Sequence, residues 1–244
     1  MNPDNNVERK QNQSVTLVSV YGGPGTGKDT NILFLKGELI SRGYKESEIC
    51  MISTGDIVRG SMDINNYYYK YHDDFEPYYQ IMKEGKLLPD DVIAKVYVKE
   101  IQQRIKDGVK VILTSGYPRT RNQKQKLDNE IENLKNTQGI DISVVNLAYY
   151  VSDETCIKRV IERNNENLAK GIPTRSDDTP EAMEVRLKIH HTDTDPLVDD
   201  LRKNGDLIEI DASPEKKIVA AKTFEALYFI KPGEKIHTRN GMVI

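Results

Sequence analysis

The chain has little of several residue types that mark whole classes of proteins. Its 244 residues contain no tryptophan and two cysteines, Cys50 and Cys156. Neither cysteine has metal-ligand spacing around it, and two cysteines are too few for a disulfide framework. We therefore expect both thiols to be buried or partly buried in a protein of a reducing compartment.

Long apolar runs and a large net charge are also lacking. No uninterrupted apolar stretch is long enough to cross a bilayer, and the polar residues 1–14 do not resemble a secretory signal. The formal net charge is −3, from 35 Lys and Arg against 38 Asp and Glu, so the chain has no general attraction for nucleic acid or anionic membranes. We expect a soluble, cytoplasmic monomer without nucleic-acid or membrane partners.

Five apolar segments do occur, and they alternate with helix-like segments. They are residues 14–21 (SVTLVSVY), 49–53 (ICMIS), 109–114 (VKVILT), 143–151 (SVVNLAYYV) and 206–210 (DLIEI). Near-continuous apolar strands separated by helices are typical of a parallel sheet that is covered on both faces. The chain length suits one α/β domain of this kind.

Two polar stretches interrupt this alternation, at about residues 56–90 and 164–174. We expect both to be insertions over the sheet edge where the strands end, because loops at that edge carry function. Tyr67, Tyr68, Tyr69 and Tyr71 in the first stretch are interpreted as packing residues rather than as a base-stacking surface. The predicted organisation is a disordered tail (1–14), one domain (15–228) and a C-terminal extension (229–244).

The segment GGPGTGK, residues 22–28, fits the phosphate-loop pattern GxxxxGK between a predicted strand and a predicted helix. Its glycines let backbone N–H groups approach an anion, and the helix N-terminus adds partial positive charge. Lys28 would reach the terminal phosphates. The fold is therefore predicted to be of the P-loop NTPase type, with ATP bound by Gly23, Gly25, Thr26, Gly27, Lys28, Asp29 and Thr30.

Two arginines follow other predicted strands and should project toward the same sheet edge. Arg59 lies one turn into a helix that begins in STGDIVRG (53–60), and Arg119 follows the turn of SGYPRTRNQ (115–123). Because the carboxyl ends of parallel strands share one edge, both arginines are expected to converge with Lys28.

Taken together, these motifs resemble those of the adenylate kinases, within the nucleoside monophosphate (NMP) kinase family. The resembling segments, in the family order, are 22–30 (GGPGTGKDT), 53–60, 85–93 (GKLLPDDVI), 115–123, 162–164 (ERN), 174–178 (TRSDD) and 184–197 (EVRLKIHHTDTDPL). The resemblance covers Val15 to Leu227. It implies an NMP-binding insertion at about 56–90 and a short lid at about 164–174.

The resemblance implies transfer of the γ-phosphoryl group of ATP to AMP, with Mg²⁺, to give two ADP. Such transfer needs two aligned anions and neutralisation of the charge that spreads over the transferred group, and arginine suits both tasks. Arg163 would lie beside the donor nucleotide, while Arg175 and Arg186 would bridge donor and acceptor phosphates. The implied catalytic residues are Lys28, Arg119, Arg163, Arg175 and Arg186.

The implied acceptor site draws on several segments. Arg59 and Arg119 would hold the acceptor α-phosphate, and the Gln123 amide can pair with both a donor and an acceptor on adenine. Thr54 and Gln123 favour AMP, although UMP and CMP remain alternatives. A lid this short, without cysteine pairs, predicts no structural zinc. The implied AMP-binding residues are Thr54, Arg59, Lys86, Leu88, Gly116, Arg119 and Gln123.

Two positions depart from the family pattern. Ser115 stands where the family has an aspartate before GYPR, and Asp29 stands where it has a glycine after the loop lysine. One interpretation is a catalytically weak nucleotide-binding protein. Another is a paired exchange, in which Asp29 orients Mg²⁺ through water in place of the missing aspartate. A third is that Asp29 caps its helix or turns outward to solvent.

Overall fold

One parallel sheet of five strands organises the molecule. The computed structural model describes residues 13–84, 86–172, 174 and 178–232. The strand order across the sheet is β2-β3-β1-β4-β5, and every neighbouring pair is parallel. The strands are β1 (Gln13–Tyr21), β2 (Ile49–Ser53), β3 (Val111–Ser115), β4 (Ile140–Tyr150) and β5 (Ile208–Asp211).

Helices connect the strands and form the outer layers. Three short 3₁₀ helices, Glu46–Glu48, Tyr67–Tyr71 and Glu76–Tyr78, and one π-helical turn, His190–Thr194, accompany the α-helices. The α-helices are α1 (Lys28–Ser41), α2 (Thr54–Gly60), α3 (His72–Phe75), α4 (Tyr79–Lys83), α5 (Asp90–Lys106), α6 (Arg121–Gln138), α7 (Asp153–Ala169), α8 (Pro180–Ile189), α9 (Asp195–Lys203) and α10 (Lys216–Ala226).

The sheet is covered on both faces, because alternate strand residues point to opposite sides. Val15 and Leu17 of β1 belong to a core with α5 and α6, whereas Val18 and Val20 belong to a core with α1 and α10. Ile112 of β3 joins the first core. The predicted fold class, a P-loop type α/β sheet with helices on both faces, is confirmed.

The predicted strand boundaries differ from the observed ones at several ends. β2 matches its predicted range, whereas β3 begins two residues later than predicted and β4 begins three residues earlier. β1 begins one residue earlier than predicted, at Gln13, which pairs with Ile140 and whose amide donates to the Ile105 carbonyl at 3.0 Å. The rest of the predicted tail, and residues 233–244 of the predicted extension, lie outside the described residues.

The stretch between β2 and α5 is a set of short helices, consistent with an insertion. It begins with α2, whose N-cap Ser53 accepts a hydrogen bond from the Asp56 backbone N–H. Tyr71 and Phe75 are buried against the core that contains α5, while Tyr67 is half exposed. The tyrosines of this stretch therefore include packing residues, as interpreted from the sequence.

A buried carboxylate ties this insertion to α5. The Glu100 side chain has no exposed surface. It accepts a hydrogen bond from the Tyr71 hydroxyl at 2.7 Å and lies 2.7 Å from the Lys70 ammonium and 3.0 Å from an Arg104 guanidinium nitrogen. Three donors from two segments thus satisfy one buried charge, as burial of a charge requires.

The first part of the predicted lid, about residues 164–174, is helical, and the bounds of the lid stay a prediction. Residues 164–169 continue α7, and the helix ends at Ala169 before Gly171, which has φ +68°. The sequence NNENLA contains no glycine or proline, so nothing in it interrupts the helix. The connection between α7 and α8 therefore begins at Lys170, and parts of it lie outside the described residues.

None of the described helices has the length and hydropathy that a bilayer span needs.

Candidate active site

The loop between β1 and α1 has the geometry of a phosphate cradle. Gly25 and Gly27 have φ angles of +84° and +87°, which L side chains rarely adopt. A Cβ at Gly25 would lie 2.4 Å from the Cys156 carbonyl oxygen, so only glycine fits this approach of the loop to α7. The Thr26 hydroxyl and the Lys28 ammonium both donate to the Gly23 carbonyl, at 2.9 and 3.1 Å.

Asp29 and Ser115 are hydrogen-bonded to each other. The Ser115 hydroxyl, at the end of β3, donates to Asp29 Oδ1 at 2.7 Å. Asp29 lies in the first turn of α1, and Ser115 is buried. The Asp29 carboxylate therefore reaches across the sheet edge to β3 while the residue stays exposed, and its role stays a prediction.

A cavity, called the main cavity, opens at the carboxyl ends of β1, β2 and β3, beside the point where the strand order reverses. This is where open parallel sheets bind ligands. The predicted residues from both halves of the site border it, namely Lys28, Asp29, Thr54, Arg59, Lys86, Leu88, Gly116, Arg119, Gln123 and Arg186. Apolar side chains, Val58, Met62, Met82 and Ile93, line it too.

The main cavity is basic. Among the described residues that border it, six are Lys or Arg and one, Asp29, is acidic. Burial is the largest influence on Lys28 and lowers the pKa of its ammonium to about 8, with Arg119 and Arg186 lowering it further and Asp29 partly offsetting them. Such a concentration of positive charge in a concave, partly desolvated site favours anions.

A second cavity shares the cationic side chains of Lys28, Arg119 and Arg186 and lies beside Gly23 and His190. The His190 ring packs on Gly23, where a Cβ would lie 3.2 Å from its Cδ2 atom. Burial lowers the pKa of His190 to about 4, against the raising effect of Asp195. The ring is therefore neutral near pH 7, and the positive charge between the two cavities comes from the lysine and the arginines.

Hydrogen bonds fix the polar residues on the far side of the main cavity. The Thr54 hydroxyl donates to the Gly116 carbonyl at 2.8 Å, which joins the loops after β2 and β3. Arg119 donates from Nε to the same carbonyl at 3.0 Å. Gln123 is 2% exposed, and its amide contacts the Arg119 backbone and Asp90.

Arg163 and Arg186 are joined through a buried carboxylate. Asp178 Oδ1 lies 2.9 Å from Arg186 Nη1, and Asp178 Oδ2 pairs with Arg163 Nη2. Arg186 borders both cavities described above, whereas Arg163 does not line either of them. The predicted position of Arg163 beside a nucleotide thus stays a prediction, and Arg175 lies outside the described residues.

Sequence reasoning missed three polar residues of the site. Asp90, Asp178 and His190 were seen within the motifs but received no role. Asp178 had a signal in the sequence, since it ends the segment TRSDD close to two candidate arginines.

Thr30 was predicted to bind ATP, and it lies in the first turn of α1 without lining the two cavities. In the described part of the chain, no group of three or more His, Cys, Asp or Glu side chains is arranged to hold a metal ion. The predicted lack of zinc stays a prediction.

A glycine-rich cradle, a loop lysine and a basic cavity at the switch point of a parallel sheet define a P-loop nucleotide-binding protein. The adenylate kinase family model matches residues 20–206. The chain is 34% identical to the adenylate kinase of Parabacteroides distasonis over 75% of this chain and 82% of that protein. It is 32% identical to that of Deinococcus deserti, over 80% and 87%, and 29% identical to that of Deinococcus radiodurans, over 82% and 90%.

The chain belongs to the adenylate kinase family. It is a phosphotransferase with nucleoside monophosphate kinase activity, and the resemblance identified from the motifs is confirmed.

Proposed function

We propose that this kinase transfers the γ-phosphoryl group of ATP to AMP and forms two ADP. The observation that carries the proposal is that the main cavity is bordered both by Lys28 of the phosphate loop and by Thr54 and Gln123 of the acceptor side. A phosphoryl donor bound on the loop would therefore face an acceptor bound in the cavity. The names of the similar proteins, all adenylate kinases, support AMP as that acceptor.

The proposed roles of the cationic residues follow from their positions. Lys28 would bind the terminal phosphates of ATP, and Arg59 would hold the acceptor phosphate at the far end of the cavity. Arg119 and Arg186, which border both cavities, would contact the group that passes between the two nucleotides. Fixed positive charge around that group lowers the barrier, because the charge of the transition state spreads over its oxygens.

The walls suit a nucleoside as well as its phosphate. Val58, Met62, Met82 and Ile93 offer apolar surface, and Leu88 is buried beside them. Gln123 brings an amide to this surface, which can pair with a base edge. Lys86 pairs with Glu84 at 2.7 Å at the rim. We assign these residues to the base and ribose of AMP.

Asp29 and Ser115 fit a magnesium ion held with ATP. Mg²⁺ prefers oxygen ligands and usually keeps several waters beside one or two carboxylates and the substrate phosphates. A carboxylate in the first turn of α1, hydrogen-bonded to a hydroxyl and next to Lys28, supplies such oxygens at the phosphate loop. The ion would neutralise phosphate charge, while Ser115 fixes the orientation of the Asp29 carboxylate. This arrangement supports the paired exchange over a helix cap.

An assay of ADP formation tests the proposed reaction. The enzyme should be offered ATP and Mg²⁺ with AMP, GMP, CMP or UMP as acceptor, each over a range of concentrations. AMP should give the highest kcat/KM. A preference for CMP or UMP would assign the cavity to a pyrimidine, and no turnover with any acceptor would favour a nucleotide-binding protein.

The role of Asp29 has a test that does not depend on turnover. Asp29→Gly should reduce the increase in ATP affinity that Mg²⁺ causes, measured by calorimetry with and without the ion. Asp29→Gly combined with Ser115→Asp should restore much of it. If Mg²⁺ increases ATP affinity equally in the single variant and in the wild type, Asp29 does not orient the ion.

Other assignments accompany the proposed reaction. Both cysteines are free thiols, which suits a cytoplasmic enzyme. We propose a monomer that acts on small nucleotides, with neither nucleic-acid nor membrane partners.

A further inference from the structure

Asp90, the first residue of α5, accepts hydrogen bonds from three side chains at the start of α6, those of its N-cap residue and of two residues in its first turn. Its Oδ2 accepts from Thr120 Oγ1 at 3.2 Å and from Asn122 Nδ2 at 2.7 Å, and its Oδ1 accepts from Gln123 Nε2 at 2.7 Å. α5 closes the insertion, and Gln123 lies in the first turn of α6. One half-buried carboxylate thus organises the segment that carries Arg119 and Gln123.

The Gln123 amide is held at both ends by groups that cannot exchange roles. Its Oε1 accepts from the Arg119 backbone N–H at 2.7 Å, while its Nε2 donates to the Asp90 carboxylate. A backbone N–H can only donate and an ionised carboxylate can only accept. Rotating the amide by 180° would place its oxygen against the Asp90 carboxylate and its NH₂ group against the Arg119 N–H. Both hydrogen bonds would then be lost, so these two partners fix the orientation of the amide.

An amide with a fixed orientation presents its hydrogen-bond donor and acceptor to the main cavity in one arrangement only. Gln123 borders the main cavity, and its amide keeps one N–H and one oxygen lone pair beyond the bonds described. Adenine offers an acceptor, N1, beside a donor, its 6-amino group. Hypoxanthine has the same ring shape but offers a donor at N1 and an acceptor at O6. A rotating amide would pair with either base, whereas a fixed one pairs with only one pattern.

We propose that Asp90 is a specificity-determining positioning residue, which locks the Gln123 amide so that the acceptor site reads adenine and rejects 6-oxopurines. This inference rests on the proposed function, because it takes Gln123 to face the acceptor base. Asp90 itself does not contact the base. It acts by removing the alternative orientation of the amide.

The test compares AMP with IMP, whose hypoxanthine inverts the hydrogen-bonding pattern without adding an exocyclic group. Asp90→Asn keeps the side-chain shape but can donate or accept, so only the Arg119 backbone N–H still favours the observed orientation of the Gln123 amide. The ratio of AMP to IMP affinity, measured by calorimetry, should fall by about tenfold or more, mainly through tighter IMP binding. The ratio of kcat/KM values should fall in parallel.

Asp91→Asn is the matched control. Asp91 is exposed at the next position of α5 and pairs with Lys126 at 2.7 Å, away from Gln123. Its replacement should leave the AMP to IMP ratio unchanged. Asp90→Glu, which retains an acceptor-only group, should stay closer to the wild type than Asp90→Asn. Asp90→Ser, with a hydroxyl that donates or accepts, is the second variant if Asp90→Asn does not fold.

Gln123→Ala distinguishes the proposed role of Asp90, called the lock, from the assignment of Gln123 to the acceptor base. The lock is supported if each single variant lowers the AMP to IMP ratio and the double variant, Asp90→Asn with Gln123→Ala, lowers it no further than Gln123→Ala alone. If Gln123→Ala lowers the ratio but Asp90→Asn weakens AMP and IMP by the same factor, Asp90 only supports the loop and the lock is overturned. If Gln123→Ala leaves the ratio unchanged, both the lock and the assignment of Gln123 to the base fail.

Discussion

Two buried carboxylates in this molecule each hold two cationic side chains. They differ in whether those cations face other protein groups or a cavity. Glu100 joins Lys70 and Arg104 beneath the insertion, and Asp178 joins Arg163 and Arg186 near the phosphate loop. Neither carboxylate side chain has exposed surface. The local chemistry of the two clusters is therefore similar.

Their surroundings separate them. Around Glu100, Tyr71 donates to the carboxylate, and Lys70 donates to the Tyr67 hydroxyl at 2.6 Å and lies over the Tyr67 ring. Asp107 lies 3.7 Å from Arg104 and adds a second negative charge, so the charges of this cluster balance, although 38% of the Lys70 side chain is exposed. Arg186 instead borders both cavities, where Lys28 and Arg119 bring further positive charge. An ion cluster with its charges matched internally builds structure, whereas excess positive charge along a cavity binds an anionic substrate.

Arg119 gives the strongest test of this contrast. Arg119→Ala should lower ADP formation per folded molecule by about a hundredfold or more, because a desolvated arginine on a transferring phosphoryl group contributes several kcal/mol. Arg121→Ala is the matched control, since Arg121 lies two residues away but pairs with Asp200 on the surface. Steady-state assays with ATP and AMP should show a loss in the first variant alone. A loss of stability without a loss of turnover would make Arg119 a structural residue like Arg104.

Glu100 should behave in the opposite way. Glu100→Gln leaves Lys70 and Arg104 without their carboxylate, and we expect the free energy of unfolding to fall by about 2 kcal/mol. Denaturant unfolding measures this change. The kcat of the remaining folded enzyme should match the wild type at saturating nucleotide, and a tenfold drop in kcat would connect the insertion cluster to catalysis.

Asp178 should show a smaller but catalytic effect. Asp178→Asn removes the charge that orients Arg163 and Arg186, and kcat should fall by about tenfold because the two guanidinium groups are less well placed. Single-turnover kinetics separates this effect from product release. If only the unfolding free energy changes, Asp178 belongs with Glu100 and the contrast between the two clusters fails.

The pH dependence of ATP binding is the mildest test. Burial lowers the pKa of Lys28 to about 8 in the nucleotide-free protein, and bound phosphates would favour the charged form and raise that pKa. ATP affinity should therefore be constant below pH 8 and fall as the pH rises above 8, by at most about tenfold per pH unit. Calorimetry between pH 7 and 9.5 measures this slope. Lys28→Arg keeps its charge and should lose the slope, and an equal slope in both proteins would assign the titration to another group.

The fold was predictable because its signals are local. The apolar run of β2 ends at Ser53, where the polar STGD segment begins, and the observed strand has the predicted bounds. The glycine loop, likewise, needed only its spacing and the flanking elements. By contrast, the early start of β4 adds Ile140, Asp141 and Ile142, and the polar Asp141 interrupts the apolar pattern there.

The site was only partly predictable, because its polar contacts cross long stretches of chain. Glu100 lies on an amphipathic helix, where a glutamate is normally interpreted as solvent-exposed. Its burial depends on Lys70 and Tyr71, which are 30 and 29 residues away in sequence. Asp90 and Gln123 are 33 residues apart, so no spacing rule joins them. The helical part of the predicted lid, by contrast, could have been recognised, since NNENLA contains no helix-breaking residue.

The hydrogen bond between Asp29 and Ser115 also bears on how such a site can change by mutation. The family pattern described above has glycine and aspartate at these two positions, and this chain has aspartate and serine. A path between the two patterns that changes one residue at a time passes through an intermediate with either two facing carboxylates or none. The first intermediate is strained by repulsion between like charges, and the second lacks the negative charge at the sheet edge. The effects of residues 29 and 115 therefore depend on each other, and a substitution that impairs one background can restore the other.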